Sequence, residues 1–174
     1  RRAKRDYQPA PWVEPAIEEK PPEEGDPGET QVLGLIQKIF DLSRNGLEIV
    51  FVIDATGSMQ ATIDGVRDAV DDLSAVIGSI VPRFRLGIVV YRDLEDMKDG
   101  ASILVPLTHD VNEVRQSLAK ETARGGGDFP ERVEKGLEIT LSSKNEVGWQ
   151  ARTGKVVVVV GDAPPHDDQL ERCK

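Results

Sequence analysis

The chain has 174 residues with 22 basic and 31 acidic side chains, a net charge of −9, so it lacks the surplus of Lys and Arg that a general nucleic-acid binder needs for phosphate contacts. An acidic surface of this kind suits bound cations and also helps to keep a protein in solution. No apolar run approaches the ~20 residues that span a bilayer, and the single cysteine, Cys173, has no partner for an internal disulfide. Residues 1–30 open with a basic head (Arg1, Arg2, Lys4, Arg5), contain six prolines from Pro9 to Pro27, and turn mostly acidic from Glu14 to Glu29. Such a stretch cannot bury enough apolar surface to offset its ordering entropy, which predicts a disordered linker.

Residues 31–45 form the next unit. Val32, Leu33, Leu35, Ile36, Ile39 and Phe40 recur at roughly helical spacing over 31–42, and the turn signal Asn45-Gly46 follows. The pattern predicts a short helix packed on the edge of a domain that runs from residue 46 to 174. Residues 47–53 are a continuous β-rich run of the kind buried on both faces of a parallel sheet. Over 59–80 the apolar residues Ile63, Val66, Val70, Leu73, Val76 and Ile77 return every three or four positions, predicting an amphipathic crossover helix. A second buried strand spans 84–91. A third, over 101–107, is placed toward an edge by Pro106 and follows a short polar link that suits an antiparallel pair. Asp110 to Glu113 and Asp128 to Glu131 each have capping-box spacing, predicting helices over 111–120 and from 128 to about 143. Residues 155–160 give the fourth strand. Strands and helices in this order predict an α/β fold, a doubly wound and mostly parallel sheet with helices on both faces.

In such a sheet the ends of the parallel strands share one rim, where ligands bind. Here they carry Asp54, then Tyr91-Arg92-Asp93, then Gly161-Asp162, with the turn Gly125-Gly126-Gly127-Asp128 able to reach the same place. After the first strand, the stretch FVIDATGSM sets Asp54, Thr56 and Ser58 at alternate positions, so that three oxygen donors can point one way. Hard oxygen donors suit Mg²⁺, Mn²⁺ or Ca²⁺, and the lack of clustered Cys or His argues against zinc. Asp128 is open to two readings, a helix N-cap and a cation ligand. Arg92 and Asp93 are expected as a rim salt bridge or loop scaffold rather than ligands, and His109 falls on the opposite rim.

The DATGS stretch resembles the DxSxS motif of von Willebrand factor A domains, with Thr56 in place of the first Ser. The YRD after the second strand, GGGDFPE at 125–131 and VVVVVGDAPPH at 156–166 resemble further loops of one branch of that family, so the likeness runs roughly from Gly46 to Leu170. The resemblance implies a metal-ion-dependent adhesion site in a protein-binding module for adhesion or scaffolding. In it Thr56 and Ser58 bind the ion directly, Asp54 and Asp162 act partly through waters, and a partner's carboxylate fills the last position. Where many members offer a Thr in the second loop, this chain presents Asp128, an extra anion that tightens cation binding but weakens the ion's pull on a partner carboxylate. The family's strand order also implies further strands after the fourth, so the segment is expected to stop short of a full domain with a valine-rich edge exposed.

Two other readings compete. A hydrolase of doubly wound fold would use Asp54 as nucleophile, the cation as Lewis acid and His166 as base; a regulatory domain would use the ion only to hold the fold. The motifs of serine hydrolases, P-loop enzymes and zinc proteases are absent, and Ala55 separates acid from hydroxyl where aspartic proteases join them. A non-enzymatic binding module is the expected function.

Overall fold

The structure, a computed structural model, describes residues 27–93, 97–126, 131–165 and 169. The chain divides into two compact units, Arg1–Leu35 and Ile36–Lys174. The described part of the first belongs to helix α1, Pro27–Asn45, which begins before residue 31, where the apolar spacing starts. The rest of the predicted linker, residues 1–26, lies outside the described residues. In the second unit the closing turns of α1 do not pack as expected. Ile36, Ile39 and Phe40 are exposed, and Leu42 is the α1 residue that packs against the core.

The second unit continues with strand β1 (Leu47–Asp54), a 3₁₀ turn (Gly57–Met59), α2 (Gln60–Ile80), β2 (Phe84–Tyr91) and β3 (Ala101–Thr108). Helices α3 (Val111–Lys120) and α4 (Val133–Leu141) and strand β4 (Gly154–Val160) complete it. The four strands lie in the order β3-β2-β1-β4. β1 runs parallel to both neighbours and β3 antiparallel to β2, as the link lengths and Pro106 predict. β1 is central and buried along its whole length, which is why its sequence reads as an uninterrupted apolar run.

Alternation along β1 sends successive side chains to opposite faces and divides the core in two. Ile49, Phe51 and Ile53 pack with Ile63, Val66 and Val70 of α2 and with Val114 and Leu118 of α3. Val50 and Val52 join Val89 and Tyr91 on the other face, where Val133 and Leu137 of α4 cover them. The sheet is therefore a doubly wound α/β layer with helices on both faces. Among the described residues no strand pairs with the outer side of β4.

The helix starts are a mixed result. Asp110 caps α3 as its spacing predicts, its Oδ1 accepting from the N–H groups of Asn112 (2.9 Å) and Glu113 (3.3 Å). The box at Asp128 to Glu131 does not start α4. That helix begins at Val133 with Arg132 at its N-cap, while Glu131 forms an isolated parallel bridge with Pro165. Pairing with the loop after β4 holds Glu131 extended and delays the helix. Asp128 itself lies outside the described residues, as does His166.

Candidate functional site

Register brings the predicted loops together. Asp54 stands opposite Tyr91, and Ile53 opposite Val160, so Gly161 and Asp162 follow directly beside Asp54. The Gly-rich turn is tied in by the Gly57 N–H donating to the Gly125 carbonyl at 3.0 Å. Gly57 is needed for this approach, since a Cβ there would lie 2.9 Å from that oxygen. Gly125 and Gly126 take φ of +75° and +82°, values that favour glycine. The result is a cleft of about 420 Å³ lined by Thr56, Ser58, the two glycines, Glu131 and Asp162, among others.

Asp54 is fully buried. Its Oδ1 accepts from the Thr56 N–H (2.9 Å) and from the Thr56 hydroxyl (2.7 Å). Its Oδ2 is buried with no hydrogen-bond partner and lies beneath Gly161, where a Cβ would come within 3.6 Å of it. Burial raises the Asp54 pKa above its ordinary value against the lowering effect of the Thr56 hydrogen bonds; Asp162 adds to the rise and Arg92 opposes it. Because the Thr56 hydroxyl proton is committed to Asp54, its lone pairs remain available. Ser58 and Asp162 are exposed in the cleft wall.

Arg92 is scaffold, as expected. Its Nε donates to the Ala55 carbonyl (2.9 Å), its Nη2 donates to the Thr122 carbonyl (3.0 Å), and it pairs with Glu121. This joins the end of β2 to the turn after β1 and to the segment after α3. His109 is at the far rim, with its Nδ1 2.7 Å from the carbonyl of Phe84 at the start of β2.

Glu131 lines the cleft, a position its sequence pattern does not mark. Its spacing marks it only as the partner of a helix cap, yet it is buried at the cleft, beside Thr56 and Asp93. Burial, with Asp93 and Asp54 close by, pushes its carboxyl up to about 7. Tyr91, buried with an unpartnered hydroxyl, is pushed above the usual phenol range by burial and then by the neighbouring Asp54 and Glu131. The available signal was an acid one residue past a proline, between a Gly-rich turn and a helix.

Among the described residues no three His, Cys, Asp or Glu side chains converge closely enough to hold a metal ion by themselves. An ion here would have to draw on hydroxyls and water as well, which matches the donor set of Thr56, Ser58 and the nearby carboxylates. The unpartnered Asp54 Oδ2 and the acidic surroundings fit a hard divalent cation.

The sequence profile of the von Willebrand factor A domain matches residues 48–173. The chain belongs to this family. Members have a fold commonly used in protein interaction. No curated protein matches the sequence. Among solved structures the chain is similar to the VWA domain of SpRpn10, at 14% identity and a TM-score of 0.54 over 71% of this chain and 64% of that one. It is also similar to the vWF domain of the type V pili tip protein Mfa5 from Porphyromonas gingivalis, at 18% identity and a TM-score of 0.51, over 68% of this chain and 38% of that one. The chain thus spans less than two thirds of either, and both likenesses concern the fold alone. Among the described residues no helix is long and apolar enough to cross a membrane.

Proposed function

We propose that the rim binds a divalent cation, Mg²⁺ or else Mn²⁺ or Ca²⁺, through Asp54, Thr56, Ser58 and Asp162, with Asp128 contributing from outside the described residues. The domain would use that ion to engage a protein ligand that supplies an acidic side chain. The observation that carries the reading is Asp54 Oδ2, a carboxylate oxygen wholly buried at the rim with nothing to satisfy it. A buried group in this state costs about 1–3 kcal/mol, more when charged. A cation, directly or through one of the waters Mg²⁺ retains, offsets that cost. Mg²⁺ would supply a Lewis-acidic point for an incoming carboxylate. Thr56 and Ser58 present hydroxyl oxygens, and Asp54 fixes the Thr56 hydroxyl so that its lone pairs stay free.

The same burial disfavours the hydrolase. Asp54 is 0% exposed and its Oδ1 already accepts two hydrogen bonds, which argues against its acting as a nucleophile toward a phosphoester. The reading is therefore non-catalytic, and p-nitrophenyl phosphate should not turn over with any of the three ions.

Calorimetric titration with Mg²⁺ and Mn²⁺ tests the site. Asp54→Asn should weaken binding by roughly 10- to 100-fold, the loss typical of groups that orient metal ligands, and equal affinity in the two proteins would sink the assignment. The open position is tested by water relaxation on the Mn²⁺ form, which should fall as acetate, a simple carboxylate, displaces bound water.

A further inference from the structure

We infer that Glu131 is a further member of the cation site, supplying an anionic oxygen from the loop before α4. This rests on the cation reading above and adds to it a residue outside the Asp-Thr-Ser turn. The carboxylate is 5% exposed, yet it lines the cleft beside Thr56, Ser58 and Asp162. Its Oε2 is buried and has no hydrogen-bond partner, whereas a carboxylate serving only to brace the loop would have its oxygens satisfied.

The backbone is arranged to hold this side chain in place. The Glu131 N–H donates to the Pro164 carbonyl at 3.0 Å, tying the loop before α4 to the loop after β4 that carries Asp162. Gly126 gives the carboxylate room: a Cβ there would sit 3.0 Å from Thr56 Cβ and 3.3 Å from Glu131 Oε1. The carboxyl also lies beside Thr56, whose hydroxyl proton is donated to Asp54. One hydroxyl thus lies between two carboxyl groups and has one proton to give.

Charge points the same way. Asp162 acts electrostatically on Asp54, Asp54 and Asp93 act on Glu131, and the nearby guanidinium of Arg92 is engaged with Glu121. Buried like charges without a compensating cation repel strongly in a low-dielectric setting. A divalent ion in the cleft relieves that repulsion, and Glu131 is the buried acid that faces it.

The test is a Mn²⁺ titration of the 174-residue chain as wild type, Asp54→Asn and Glu131→Gln, with metal-free thermal melts confirming the fold of each. Glu131→Gln keeps shape and hydrogen-bonding capacity while removing the charge. Mn²⁺ affinity should fall roughly 10- to 100-fold. Unchanged affinity in Glu131→Gln, alongside a loss in Asp54→Asn, overturns this inference and leaves the cation site standing. Absence of Mn²⁺ binding by the wild type overturns both. Should Glu131→Gln fail to fold, the wild-type protein decides: the side-chain carboxyl ¹³C signal of Glu131 should move on adding Mg²⁺, and a stationary signal overturns the inference.

Discussion

Glu48 is a carboxylate one residue into the central strand, fully buried between apolar neighbours. Its Oε1 accepts from Arg85 Nε at 3.0 Å, and its Oε2 from the Gln150 N–H (3.0 Å) and the Thr153 hydroxyl (2.7 Å). Arg85 in turn donates to the carbonyls of Leu107 (3.2 Å) and Gly148 (2.8 Å), so one ion pair joins β1, β2, β3 and the segment before β4. Burial alone would raise the Glu48 pKa, but the hydrogen bonds of Arg85, Thr153 and Gln150 outweigh it and hold the group below its ordinary 4.5. A carboxylate whose folded pKa is depressed contributes stability that is complete above the unfolded value and is lost as pH falls through the folded one. Glu48→Gln should therefore lower stability at pH 7 by about 3–5 kcal/mol, the cost of breaking a buried pair. It should also reduce the loss of stability below pH 4.5. Urea denaturation across pH 3–7 checks both, and parallel pH curves for the two proteins would refute the linkage.

Helix α4 lies very close to the sheet, and Gly136 is the reason it can. A Cβ at that position would fall 2.5 Å from Val52 Cγ1 and 3.0 Å from Tyr91 Cδ1, both in fully buried side chains. Gly136→Ala should gain at most about 1 kcal/mol of helix propensity and lose about 1–3 kcal/mol to overpacking. A thermal melt should then show a lower midpoint, and an unchanged or raised one would mean that α4 is free to move outward. The same helix shows where sequence reading succeeds and fails. Continuous β-rich runs and three-to-four spacing located the four strands and α2 because burial imposes those periods, and alternate donors after β1 marked Asp54, Thr56 and Ser58 as residues of the rim. Non-local pairing was not legible. The bridge of Glu131 to Pro165 delays the start of α4 and turns a supposed capping residue inward. The partners of Glu48 also lie far away in sequence, so neither acid announced its role.

The whole sheet has β1 buried at its centre and β4 at one side. Val156 and Val159 are 41% and 47% exposed, while Val158 and Val160 pack against the α2–α3 face and Val157 against the α4 face. Among the described residues no strand pairs with the outer side of β4, and an edge with unpaired N–H and C=O groups along a run of β-branched residues templates pairing with another strand. The net charge of −9 opposes this, a repulsion that salt screens within about 8–10 Å. Self-association of the 174-residue chain should therefore rise with both protein and salt concentration, as measured by light scattering. Val159→Lys places a charge at a half-exposed position of this strand, on the α4 face, and should suppress that rise, since edge lysines block strand addition. Its cost in stability should be small because Val159 is half exposed. A wild-type chain that stays monomeric at high protein and salt concentration would mean that the outer side of β4 is covered by residues outside the described ones, and the valine run would then be an interior strand.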